Sequence, residues 1–443
     1  MTPGNQPGPR GEQAAAPRWK QLLALLSLAL SLLLWLNGLL DSLSRPSVGD
    51  ALNRRQLELA VLAEPGLPAP WRPLLAGPRP RQALAEALND TVDAGAEAGT
   101  PAAPPLQLLQ RGLSLLEAGQ GEQARAPLEQ LLADPALAQR PERRLAAALL
   151  HPQDPAVMAE SRRATLRLVG VTVVPVLVLL LGIGLLLREL WQRWRGRGPE
   201  APPLQGPALG GLDVVLLIAG GFVVVGELLT PLLVAPLLQG LLSAGAVASP
   251  LREGLSVLGL YLALMAGPLL ILQLQLRGLG PAPEGGWLQF RWRPLGGSLR
   301  RALRTLLMVL PLVSLAGWLL ERLWSEGSGS NPLLELVLNS HNRPALACFA
   351  FTAVVLAPLF EEMIFRGVLL PVATRQLGPA WGVLLSAAVF AVAHLSLGEL
   401  LPLLVLGLGL GWLRWSGGRL GSCVLMHALW NALTFSNLVL LGW

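Results

Sequence analysis

Phe360-Glu361-Glu362-Met363-Ile364-Phe365-Arg366 sets two adjacent carboxylates and a guanidinium inside an otherwise apolar run from Leu346 to Leu370. A run of roughly 20 apolar residues has the length of a membrane-spanning helix. One ionisable side chain at the centre of a bilayer costs about 2.5 kcal/mol or more. Three of them within little more than one helical turn are rarely structural filler. Lipid cannot satisfy them, so their partners must come from other helices.

The rest of the chain has the composition of a bilayer protein. Of its residues 52% are hydrophobic and only 14% are charged, with a mean hydropathy of +0.52. That excludes a soluble enzyme with a large core. The net charge of +6 would raise nucleic acid as a partner of a soluble protein. Here the arginines gather beside the apolar runs, as short cytoplasmic loops require, and no nucleic-acid partner is expected. Cys348 and Cys423 fall in separate runs and belong to no C-x-x-C, so neither a zinc knuckle nor a redox pair is expected.

Taken in order, the chain reads as an all-α polytopic membrane protein with about nine transmembrane helices and a small helical extracytoplasmic domain. Residues 1–21, rich in Gly, Pro, Gln and Ala, form a disordered cytoplasmic N-terminus. Residues 22–40 follow Arg18 and Lys20 without a cleavage site and make an uncleaved signal anchor. Residues 41–161 are the soluble extracytoplasmic region. Within it Leu106 to Leu116 and Ala124 to Leu132 form two short helices about the turn Gly119–Gly121, a hairpin resembling a tetratricopeptide unit without its signature aromatics. Residues 165–344 hold spans at Thr165–Leu187, Leu209–Leu229, Leu255–Leu276 and Leu303–Leu320, joined by basic cytoplasmic loops. Pro231 to Pro250 is apolar enough to be re-entrant or interfacial, and Glu227 reads as an interfacial or capping carboxylate. Gly327 to Ser330 reads as a flexible linker, and His151 and His341 as solvated loop residues. Residues 345–443 complete the set with runs at Leu346–Leu370, Ala380–Leu397, Leu400–Leu413 and Gly421–Leu441. Gly407 and Gly411 in the third allow close helix packing, and Arg375, Arg414 and Arg419 fit cytoplasmic loops.

Three of these last helices carry polar groups at helical spacing. Residues i and i+4 share a helix face, so Arg366 can pair with Glu362, leaving Glu361 about 100° round the helix. Phe390 and His394 stand at i and i+4, as do His427 and Asn431. Only four histidines exist in the chain, and two of them fall here. Each helix must turn its polar face toward the others, so the groups should converge in one wet cavity. Such a set can activate water, with a carboxylate as general base, an imidazole sharing the water, and His427 and Asn431 donating to an oxyanion. This suits hydrolysis of a peptide or amide bond. The same groups could hold zinc, although no H-E-x-x-H is present. Ser386 and Ser396 lack a nucleophile setting and read as packing or capping residues. A polar network that only fixes helix register is the structural alternative.

E-E-x-x-x-R at Glu361 to Arg366, F-x-x-x-H at Phe390 to His394 and H-x-x-x-N at His427 to Asn431 together resemble the CPBP intramembrane proteases. That family includes the type II CAAX prenyl endopeptidases and the bacteriocin-processing or immunity proteins. The resemblance covers the last quarter of the chain. It implies that Glu361 activates water with help from His394, and that His427 and Asn431 form the oxyanion site. Glu362 and Arg366 would support the network, and Phe390 would shape the cavity. A metal, if present, would be held by Glu361, His394 and His427. The favoured expectation requires no cofactor, because Asn431 and Arg366 suit charge stabilisation better than a Zn site.

The expected activity is thus that of an intramembrane endopeptidase, often classed as a metalloprotease, acting on a membrane-embedded or lipid-anchored protein or peptide. The alternatives are a non-proteolytic scaffold or immunity-type protein of the same family, and a proton-coupled transporter, for which no internal repeat is found. The expected location is a prokaryotic inner or thylakoid membrane, with a cytoplasmic N-terminus.

Overall fold

The computed structural model describes residues 17–45, 48–97, 102–138, 140–197, 200–323 and 332–442. The expected disorder of the N-terminus falls almost wholly, and the Gly327–Ser330 linker entirely, outside these residues. Among the described residues there are helices and turns and no strand. The chain begins with α1 (Arg18–Ser42). Its buried positions are Ala24, Ser27, Ser31 and Ser42, while Leu22, Leu25, Leu32 and Leu33 point outward. Small polar residues inside and large apolar ones outside are the pattern of a helix whose surroundings are lipid.

A helical region follows: α2 (Val48–Ala63), α3 (Pro80–Glu97), α4 (Pro104–Glu117), α5 (Gly121–Ala133) and α6 (Pro141–Leu150). Here the pattern reverts to that of a water-soluble bundle, with Leu84, Leu88, Leu109, Leu113, Leu128 and Leu131 fully buried. α4 and α5 form the expected hairpin about Gly119, whose φ of 74° is natural only for glycine. Gly112 lets them approach, since a Cβ there would meet the Leu128 side chain at 2.6 Å.

α7 (Pro155–Trp194) starts at Asp154, whose Oδ1 accepts from the amides of Ala156 and Val157, with Pro155 at the first position. Its 40 residues rise about 60 Å, twice the hydrocarbon thickness. The first turns therefore belong to the soluble bundle, where Ser161 Oγ donates to the Ala63 carbonyl at 3.1 Å.

The remaining helices are α8 (Gly211–Ala244), α9 (Leu251–Arg277), α10 (Leu295–Leu323), the short α11 (Pro332–Asn339), α12 (Arg343–Leu377), α13 (Pro379–Val392), α14 (Leu397–Gly417) and α15 (Leu420–Gly442). Eight helices of the described chain are long and apolar enough to cross a membrane, and α13 is a shorter apolar ninth. The stretch 231–244 is not a separate re-entrant piece but the continuation of α8. Pro231 falls in the first turn after the π-helical stretch Leu216–Leu229, where the wider winding absorbs its missing donor.

The connections ending α7, α9, α12 and α14 meet on one face. There Arg375 donates to the carbonyls of Pro207 and Leu209, Arg414 to Gln205, and Arg419 to Arg293. On the opposite face the soluble bundle sits on the ends of α11 and α15. Leu338 and Leu441 join its core, and Arg167 Nη2 donates to the Leu440 carbonyl at 2.6 Å.

Candidate active site

α12 carries the glutamates. It is capped by Asn342, whose Oδ1 accepts from the Ala345 amide at 2.9 Å. Two π-helical stretches, Phe351–Leu356 and Met363–Leu369, flank the α-helical turn Ala357–Glu362. π-turns inside helices recur at functional sites, because they rotate one side chain relative to its neighbours.

Glu362 and Arg366 face inward and are both fully buried, with Arg366 Nη1 donating to Glu362 Oε1 at 2.9 Å. Arg366 Nη2 donates to the Gly407 carbonyl of α14 at 3.2 Å, and its guanidinium lies 4.3 Å from the centre of the Phe390 ring. Glycine at 407 brings that carbonyl into range, since a Cβ there would stand 3.0 Å from Ala387 of α13. His427 of α15, 3% exposed, places Nδ1 3.0 Å from the same Glu362 oxygen. His427 Nε2 is thereby turned toward Glu361 Oε2, 3.9 Å away.

Glu361 differs from its neighbour. Its side chain is 14% exposed and its Oε1 accepts from Tyr261 Oη of α9 at 3.1 Å. Its Oε2 has no hydrogen bond among the described residues.

Two expected members sit differently. α13 ends at Val392, so His394 lies in the turn beyond it and not on the helix face of Phe390. Leu395, at φ 51°, reverses the chain into α14, and His394 Nδ1 bonds the Phe390 carbonyl at 2.8 Å. His394 touches neither glutamate by hydrogen bond or ion pair among the described residues. The Phe390 ring stands between the histidines, 4.8 Å from one and 5.6 Å from the other, edge-on to both. Asn431 Nδ2 donates to the Ala353 carbonyl of α12 at 2.7 Å, which ties α15 to the helix of the glutamates. Glu362, Arg366 and His427 are packed into direct contact with one another. Among the described residues no three His, Cys, Asp or Glu side chains gather to hold a metal ion. The expected ligands Glu361, His394 and His427 do not fit zinc as placed, since the Phe390 ring stands between the two imidazoles.

Several contributors escaped the sequence. Tyr261 is the only tyrosine in the chain and sits mid-span, a signal that could have marked it. Arg414, assigned to a loop, is fully buried in the last turns of α14 and donates to the Arg366 carbonyl at 3.3 Å. Glu227 accepts from Trp35 Nε1 of α1 at 3.1 Å, so it is a paired group within the helix bundle and not an interfacial cap. Ser386 is a buried packing residue of α13, its Oγ donating across to the Phe365 carbonyl of α12 at 3.0 Å.

Fold and site together define a polytopic membrane protein with a buried Glu-Glu-Arg-His network at the meeting of α9, α12, α14 and α15. Residues 343–433 match the family described as Type II CAAX prenyl endopeptidase Rce1-like. All seven residues of the three motifs lie inside the match; Tyr261 lies outside it. Residues 49–170 match a second family, described as a domain of unknown function (DUF8675). Neither a curated protein nor a solved structure matches the chain.

Proposed function

We propose that the protein is an intramembrane endopeptidase in which Glu361 is the general base. The observation that carries this is the asymmetry of the two glutamates. Glu362 is spent on Arg366 and His427, while Glu361 keeps Oε2 free of protein donors beside His427 Nε2. Glu361 takes a proton from water as the hydroxide oxygen bonds to the scissile carbonyl carbon. The oxyanion is stabilised by His427 and Asn431, with His394 beyond Phe390 assisting at the water. On collapse the carbon–nitrogen bond breaks, and the proton held by Glu361 passes to the leaving amine. No step is routed through a metal.

The substrate class that fits is a membrane-embedded or lipid-anchored protein or peptide, because the network lies midway along apolar helices. The arginine-rich face is assigned to the cytoplasm and the soluble bundle to the far side of a prokaryotic inner or thylakoid membrane.

The test compares peptide termini by mass spectrometry in membranes from cells expressing wild type and Glu361→Gln. Termini present only with the wild type establish a protease and identify its substrate. Identical termini, with both proteins folded at equal levels, leave the scaffold role.

A further inference from the structure

We propose that α7, α10 and α14 form, on the side of α14 away from the glutamates, a binding site for one anionic glycerophospholipid of the leaflet on the arginine-rich face. Two contiguous cavities build it. The first, about 560 Å³, is an apolar groove walled by Leu186, Leu190, Leu312, Leu315, Leu319 and Leu408. The second, about 540 Å³, opens at the arginine-rich end and is lined by Arg193, Arg291, Arg301, Arg304 and Arg419, against the acids Glu189 and Glu200. They share Glu189, Arg193, Thr305, Met308 and Trp412, so they form one continuous amphipathic site.

The charge arithmetic favours an anion, with five guanidiniums facing two carboxylates. Glu189 is fully engaged. Arg193 Nε binds one of its oxygens at 2.9 Å and Arg304 Nη2 the other at 2.7 Å. That carboxylate thus holds one guanidinium on each oxygen, and each keeps further N–H donors for phosphate oxygens. Arg301 has no carboxylate partner among the described residues. Arg193 also lies 5.2 Å from the centre of the Trp412 ring, and a tryptophan at the groove's mouth marks headgroup depth.

The dimensions favour a lipid over free phosphate. From Thr305 to Leu319 the groove follows α10 for about 21 Å, somewhat more than half the hydrocarbon thickness. An acyl chain descending from a phosphate on the arginines would run the length of it. Basic pockets between transmembrane helices on the cytoplasmic side take anionic lipid headgroups for this reason.

The test uses the full-length protein equilibrated with vesicles of equimolar phosphatidylglycerol and phosphatidylethanolamine, then repurified, with its retained lipid quantified by mass spectrometry. Wild type is expected to retain phosphatidylglycerol preferentially, and excess inorganic phosphate should not displace it. Arg301→Gln should lower the preference about fivefold, and Arg304→Gln with it a further fivefold or so. Leu312→Trp, which fills the groove and leaves every charge in place, should remove the retained lipid. Equal retention of the two lipids by wild type overturns the proposal without recourse to any variant. So does an unchanged preference in the arginine variants, or displacement by phosphate. Retention by a folded Leu312→Trp variant reduces the site to a surface basic patch and overturns it too.

Discussion

At the scale of single residues the site is built on unequal treatment of two adjacent carboxylates. Glu362 is acceptor to a guanidinium and an imidazole, and its burial is tolerable only while they remain. Arg366→Ala should therefore destabilise the protein by about 3–5 kcal/mol, seen as early thermal unfolding in detergent, because it strands a fully buried charge. Tyr261→Phe is gentler. It removes one hydrogen bond to Glu361 Oε1 and leaves the ring against Phe360, so cleavage should slow about fivefold while the unfolding temperature holds. An unchanged cleavage rate would show that Glu361 needs no orientation from α9. The pairing of Arg366 with Glu362 was legible in the sequence because i and i+4 meet on any helix. Tyr261 was not, since its partner is 100 residues away and nothing local signals the contact.

At the scale of elements, helices can be read from apolar runs, but their packing depends on details that composition does not contain. The positions of the spans followed from hydropathy. The π-turns of α12 and the early end of α13 did not, because an all-apolar run has no period to break. The glycines of α14 were the readable exception. Gly407→Ala would place a methyl 3.0 Å from Ala387 and push α13 from α14, taking the Arg366 acceptor with it. The expected cost is about 1–3 kcal/mol with a parallel fall in activity, checked by thermal unfolding and by cleavage. In the soluble bundle α2 carries its own buried acid. Burial pushes the Glu58 carboxyl above the usual 4.5, against the opposing pull of Arg55 and Arg54 and with a smaller push from Glu142. Arg144, Arg167 and His341 line the same small cavity. A carboxyl raised in the folded state binds more protons there than in the unfolded chain. Its contribution is complete below about 4.5 and is lost as pH rises through the raised value. The protection factors of the α2 amides, their exchange measured relative to an unstructured chain at the same pH, should thus be larger near pH 5 than near pH 8, and Glu58→Gln should flatten that slope.

At the scale of the molecule the arrangement of charge assigns the sides. Nine apolar helices put the two ends of the chain on opposite faces, with α1 beginning on the arginine-rich face. Its connections carry Arg195, Arg197, Arg277, Arg291, Arg293 and Arg419, whereas Arg252, Arg322 and Arg343 serve the short connections opposite. The soluble bundle has many arginines as well, but a long domain crosses largely regardless of its charge, so only the short loops count. By that reckoning the arginine-rich face is expected to be cytoplasmic and the bundle of residues 49–170 to lie outside. Thiol labelling checks it directly. Cys423 is fully buried, so Cys348→Ala leaves a quiet background. On that background Gln107→Cys reports the bundle and Gly296→Cys the opposite face, both being exposed. An impermeant maleimide should modify Gln107→Cys in intact cells, and Gly296→Cys only after the membrane is opened. The reverse pattern would put the bundle in the cytoplasm and with it the His394 turn, where Arg45 of the α1 end donates to the Leu395 carbonyl at 3.4 Å.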